Sequence, residues 1–193
     1  MWNYFDRGQS GITRVAGICG IFIPVVIFAS LGLSIASSPW FTWTQNALSD
    51  LGIQANTAAI FNYGMILGGI LTLIFSLGLI KILSNKTGAY LISVSSVAFI
   101  GIGLFPETFF VLHFITSALF FILLTIALLI IGLTIKQNPF ERSMGSLAFV
   151  FALIAIGSTI FLFYLEGIAI SEALSCFPAF VWFLIIGVKM IRV

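Results

Sequence analysis

The stretch "TFFVLHFITSALFFILLTIALLIIGLTI", Thr108 to Ile135, contains no Asp, Glu, Lys or Arg from end to end. A helix of that length, rising 1.5 Å per residue, exceeds the ~30 Å hydrocarbon core of a bilayer. Lipid offers exposed backbone groups no partner, and a helix satisfies them internally. Five more runs read the same way, at about 15–36, 57–80, 89–105, 144–165 and 171–188. Of the 193 residues, 61% are hydrophobic and only 7% charged, against roughly 25% charged in soluble domains. The expected fold is therefore all-α: a polytopic bundle of six transmembrane helices, forming a single domain over residues 1–193. The first run is too long for a signal-peptide core, so no cleavable signal is expected.

Basic residues at helix ends stay on the cytoplasmic side. Arg7 and Arg14 precede the first run, Lys81 and Lys86 separate the second and third, Lys136 and Arg142 the fourth and fifth, and Lys189 and Arg192 follow the sixth. All eight fall on one side, which predicts both termini in the cytoplasm. The net charge of +2 is a topology signal, and no nucleic-acid partner follows from it.

The acids sort almost as cleanly. Asp6 and Glu141 accompany the bases, whereas Asp50, Glu107, Glu166 and Glu172 fall at the opposite, outer ends, where there is no Lys or Arg. Carboxylates at helix starts are favoured by the helix dipole. Glu107 after Pro106 and Glu172 after Ser171 fit that reading, with Pro at the first helical position and Ser as an N-cap. His113, the only histidine, lies six residues beyond Glu107, about 9 Å deeper if the helix is continuous. A polar ring at that depth faces the bundle or a wet cavity more often than lipid. Thr116 and Ser117 extend its face. Bonding to a neighbouring helix and membership of a functional site both fit.

Asn62, one turn into the second helix, and the Glu172/Cys176 pair add polar groups at the same level. The expected site is an outward-facing pocket ringed by Asn46, Ser49, Asp50, Asn62, Glu107, His113, Glu166 and Glu172. Its chemistry suits a cation, a proton or a lipid headgroup. No cofactor is evident. A divalent cation would draw on Asp50, Glu107, His113 and Glu172, although none falls into an H-E-x-x-H spacing. Ser49 beside Asp50 lacks the G-x-S-x-G elbow of a nucleophile.

Packing signals are plainer. "GMILG", Gly64 to Gly68, permits close helix approach, as do Ser93, Ser96, Gly101, Gly157, Ser158 and Thr159. Pro24 and Pro178 stand within helices. Cys19 and Cys176 belong to opposite ends and should not bridge. Trp40 and Trp43 mark an interfacial belt, so Pro39 to Asn56 is expected along the outer surface, with a short helix around "ALSDLG". The 21 Phe residues read as lipid-facing or interhelical filling.

"NALSDLG" (46–52), "AAIFNYG" (58–64), "GLFPE" (103–107) and His113 early in the fourth span together resemble the prokaryotic integral membrane proteins of domain of unknown function family 998. A more distant similarity links the Ser-Asp-containing first outer loop to the Frag1/DRAM/Sfk1 membrane proteins. The resemblance implies a prokaryotic cell membrane and no established activity. It directs attention to Asn46, Ser49, Asp50, Gly52, Asn62, Pro106, Glu107 and His113. Membrane lipids are the expected partners, and a homo-oligomer or a membrane-protein partner is compatible with the chain. Three functions fit: a binding or transport protein, an intramembrane lipid-directed enzyme with His113 as base or metal ligand and Asp50, Glu107 or Glu172 as partner, and a structural or accessory subunit.

Overall fold

The computed structural model describes residues 11–134 and 139–192. Asp6, Arg7 and Lys136, three of the charges in the topology reading, lie outside them, as does the expected fourth-helix end at Ile135. Among the described residues the secondary structure is helical, and six helices are long and apolar enough to cross a membrane. They are α1 (Gly11–Ala36), α2 (Ala58–Ile82), α3 (Thr87–Leu104), α4 (Phe110–Leu133), α5 (Pro139–Ser158) and α6 (Ala169–Arg192). Short 3-10 segments at Glu107–Phe109 and Thr159–Phe163 lead into α4 and out of α5, and a third, Leu48–Gly52, lies between α1 and α2.

The observed ends move the expected ones in physically sensible ways. Helix α1 starts at Gly11 and takes in Arg14, α5 starts at Pro139 and takes in Glu141, and α6 runs on to Arg192. Charged side chains end an apolar run in the sequence, yet they do not end a helix: Arg14 and Arg192 have long stems that carry their charge to water, and Glu141 is buried with Ser84 as its partner. Ser171 is a correction: α6 already begins at Ala169, so Ser171 is not its cap but donates its hydroxyl to Ser158 O at 2.9 Å, joining α6 to α5. Pro106 precedes the first residue of the Glu107–Phe109 turn, and so occupies the N-cap.

Helices adjacent in the chain pack against one another, and α6 closes the ring against α1, with a smaller contact from α4 to α6. Hydroxyls stitch neighbours together: Ser76 Oγ meets Ser93 Oγ at 2.8 Å between α2 and α3, and Ser95 donates to Phe120 O at 3.0 Å between α3 and α4. Trp182 on α6 donates its indole N–H to Met144 O on α5 at 2.9 Å. Aromatic rings fill the centre, with Phe75 against Trp182 and Phe183, and Phe99 stacked between Phe120 (4.4 Å) and Phe180 (5.7 Å). The charges define two ends. At the basic end Lys189 reaches Ser143 Oγ at 2.8 Å, and Glu141 accepts from Ser84 N–H and Oγ at 3.2 and 3.0 Å. The acidic end carries the long first loop.

The Gly64/Gly68 pair works as its spacing implies. A Cβ at Gly64 would overlap Ser30 and one at Gly68 would overlap Ile27, both on α1. Gly157 does not pack: it is exposed, with open space where its side chain would be. Gly64→Val is therefore expected to destabilise the fold by about 1–3 kcal/mol through overpacking. Gly157→Ala should be neutral or slightly stabilising, since Gly in a helix costs roughly 0.5–1 kcal/mol relative to Ala. Thermal unfolding of both variants in detergent checks the contrast, and equal melting temperatures would dismiss the α1/α2 contact as a stability determinant.

Candidate functional site

After α1 the chain first runs over the surface, as its tryptophans suggest. Trp40 and Trp43 are exposed and flank Phe41 edge-on, at 6.1 and 5.5 Å. It then departs from the surface path expected through Asn56. Leu48, Ser49, Leu51 and Gly52 are buried, so the Leu48–Gly52 turn is sunk into the acidic end of the bundle. The two leucines provide the reason, because a turn with an apolar side gains by leaving water.

Burying an irregular turn obliges its backbone groups to find partners. Leu48 N–H donates to Glu172 Oε2 of α6 at 2.6 Å. Ser49 Oγ donates to Glu107 Oε1 at 2.6 Å. Asp50 Oδ2 accepts from Ala47 N–H and from Asn46 Nδ2, both at 3.0 Å, closing the turn on itself. Thr57 donates its hydroxyl to Leu51 O at 2.7 Å, and Asn62 Nδ2 donates to Gly52 O at 2.9 Å. Upstream, Thr44 O and Asn46 O accept the N–H groups of Gly167 and Ala169 at 2.8 and 2.9 Å, which binds in the α5–α6 connection. Gly167 suits this spot because a Cβ would run into the Gln45–Asn46 backbone. The turn is thus joined to α2, to the α3–α4 junction and to α6.

Beneath the turn lies a cavity of about 40 Å³. Leu48 and Ser49 form part of its roof, Ser117, Glu172 and Cys176 supply its other polar atoms, and Phe61, Phe99, Phe120, Phe121, Phe177 and Phe180 line much of the rest. His113 is buried and turned into the protein. Its Nδ1 lies 2.8 Å from Phe105 O, which can only accept, so Nδ1 carries a proton there and, in a neutral ring, Nε2 is the acceptor. Ser117 Oγ, 3.4 Å from Nε2, is in position to donate to it.

The structure therefore gathers five of the expected residues, Asn46, Ser49, Asp50, Glu107 and Glu172, around one turn, with Asn62 attached through Gly52. His113 stands apart from the carboxyls and reaches the cavity only through Ser117. Glu107 precedes α4 in its own short turn, so the face it would share with His113 in one continuous helix does not form. Glu166 is exposed in the α5–α6 connection and makes no hydrogen bond among the described residues. No three His, Cys, Asp or Glu side chains among the described residues stand close enough to hold a metal ion together. Cys19 and Cys176 are free and buried. Two features escape sequence reading: the aromatic cavity wall, because Phe pervades the chain, and the Leu48 N–H, because any residue supplies one.

Fold and charge pattern together define a multi-pass α-helical membrane protein with a partly buried cluster of acids at one end. The chain belongs to the family described as "Protein of unknown function (DUF998)", whose model matches residues 20–189. No curated protein and no solved structure matches it.

The Ser49–Glu107 contact is open to a double-mutant cycle. Hydrogen bonds to charged groups are worth roughly 1.5–3 kcal/mol, and interhelical ones in membrane bundles average about 0.6. Ser49→Ala and Glu107→Gln, alone and together, are expected to give a coupling of about 1 kcal/mol in detergent unfolding, with faster proteolysis of the first loop. Strict additivity would mean that the contact does not hold the turn down.

Proposed function

We propose that this protein is a membrane-embedded binding protein that receives a cationic or hydrogen-donating group in the cavity under the Leu48–Gly52 turn. The observation that carries the reading is Glu172, an acid lining a cavity walled mainly by apolar side chains, with Asp50 bonded within the turn above it, Glu107 bonded to Ser49, and no Lys or Arg in the connections at that end. An opposite charge or a donor gains more beside a carboxyl in such a place than in water. Cavities of this kind, apolar with a few convergent polar groups, are the usual form of small-ligand sites. Glu172 is the direct ligand in this reading, Ser49 and Ser117 are auxiliary, and His113 is a positioning residue that orients Ser117.

The acidic end faces outward and both termini are cytoplasmic in this proposal, on the strength of the segregated Lys and Arg residues. A cysteine introduced at Gln54, exposed in the first loop, is expected to react with a membrane-impermeant thiol reagent from outside whole cells. Reaction from the cytoplasmic side alone would reverse the orientation and with it the direction of access.

Binding itself is tested by thermal unfolding in detergent with a panel of zwitterionic and anionic lipids, organic amines and divalent cations. A ligand that binds only the folded state at a hundred times its Kd adds about 2.7 kcal/mol of stability. The expected result is a rise in Tm for the wild type with a cationic or donor-bearing member, and its loss in Ser117→Leu, which fills the cavity with apolar atoms. Indifference of the wild type to the whole panel would favour an accessory subunit, in which the carboxyls serve only the turn. Hydrolysis of a lipid during the incubation would favour an enzyme using His113 and Ser117.

A further inference from the structure

The cavity under the turn has chemistry narrow enough to choose among cationic ligands. Its accessible carboxyl belongs to Glu172, of which Oε2 is engaged by Leu48 N–H while Oε1 has no hydrogen-bond partner among the described residues. Ser117 Oγ also lines it and, when it donates to His113 Nε2, keeps lone pairs that accept. Ser49 Oγ, at the roof, donates to Glu107 and is likewise left with accepting capacity. Cys176 directs its thiol to Glu172 O at 3.2 Å. The polar part of the wall thus offers three oxygen acceptors, while its donors are already engaged by the protein. A ligand that complements it must bring several donors of its own.

Size then separates the candidates. About 40 Å³ has room for roughly three or four water-sized groups, taking about 10–15 Å³ for each. That accommodates an ammonium with one or two methylenes. It is far below the ~150 Å³ apolar cavity that takes a benzene ring. A trimethylammonium head would take up all of that room, and it carries no N–H donor at all. Charge removes a further class, since the connections at this end carry no Lys or Arg to receive a phosphate, and a phosphate beside Asp50, Glu107 and Glu172 would be repelled. A bare metal ion would lack the three-residue ligand set.

We infer that the site takes the primary ammonium of an aliphatic amine without an adjacent phosphate, its three N–H donors meeting Glu172, Ser117 and Ser49 and its first carbons lying against the phenylalanine wall. The inference rests on the binding function proposed above and names the ligand class for the same cavity.

The test uses purified full-length protein in detergent at fixed pH, titrated with ethylamine, ethanol and N,N,N-trimethylethylammonium, and in a separate arm reconstituted with phosphatidylethanolamine. Melting curves at each concentration give apparent Kd values by mass action. Ethylamine is expected to raise the Tm in a saturable manner, with a Kd at least tenfold lower than those of the alcohol and the trimethyl compound and with no comparable effect from phosphatidylethanolamine. Glu172→Gln, whose amide oxygen still accepts from Leu48 N–H, should keep the fold and weaken ethylamine at least tenfold. Ser117→Ala, with one acceptor fewer, should weaken it less. A response shared equally by the alcohol, or one that survives Glu172→Gln, would overturn the inference. Preference for the trimethyl compound or for phosphatidylethanolamine, abolished by Glu172→Gln, would overturn the primary-amine assignment and leave the binding function standing. Wild-type indifference to every compound would overturn the inference, and indifference to the wider panel as well would remove both.

Discussion

The hydrogen bond from Leu48 N–H to the Glu172 carboxyl meets the constraint on which the acidic end of this protein is built: backbone polar groups taken out of water must be paired. Helices meet that constraint within themselves, but the Leu48–Gly52 turn is too short to do so and is nonetheless buried. Its partners therefore come from elsewhere. Glu172 takes the N–H of Leu48, Asp50 that of Ala47, Thr57 the C=O of Leu51 and Asn62 the C=O of Gly52. The polar residues that stand out in an apolar chain are, in the first place, what allows this turn to be where it is. Because the turn is there, a space remains below it.

The basic end uses the same device in a smaller form. Glu141, near the start of α5, accepts the N–H and hydroxyl of Ser84 in the α2–α3 connection, and a cavity of only about 10 Å³ adjoins it. There is space for about one water there. Both ends thus fasten a connection to a distant helix through a carboxyl. What distinguishes the acidic end is a surplus: three carboxyls around one turn, no base in its connections, and an aromatic-walled cavity lined by one of those acids, Glu172. The proposed binding function rests on that surplus more than on the presence of acids as such.

Glu172 has two tasks in that reading, holding the roof through one oxygen and meeting a ligand with the other. A group bound at Oε1 draws on the same carboxyl that secures Leu48, so occupancy of the cavity and the hold on the turn are coupled through a single side chain. His113 contributes more quietly. Its Nδ1 is committed to Phe105 O at the end of α3, which fixes the ring and leaves Nε2 toward Ser117. The histidine that attracts most attention in the sequence is one residue removed from the cavity, whereas Glu172, which looks like an ordinary helix-start acid, lines it.

The sequence by itself determined the class of fold, the number of apolar spans, the separation of charge between the two ends, and which polar residues stand at the acidic end. These depend on the length and composition of continuous segments, which the cost of exposing backbone and charge to lipid makes legible without any knowledge of packing. Even the Gly64/Gly68 contact is of this kind, because helical spacing alone puts both glycines on one face. The tertiary structure decided which polar residues meet: that Glu172 reaches Leu48 across 124 positions and Glu107 reaches Ser49 across 58, that His113 turns to Phe105 and Ser117, and that Glu166 joins none of them. It also decided that the first loop descends into the bundle and that six particular phenylalanines among 21 form a cavity wall. Such choices turn on the rotation and depth of each helix against its neighbours, set by the interlocking of whole side-chain surfaces, and no local segment carries that information.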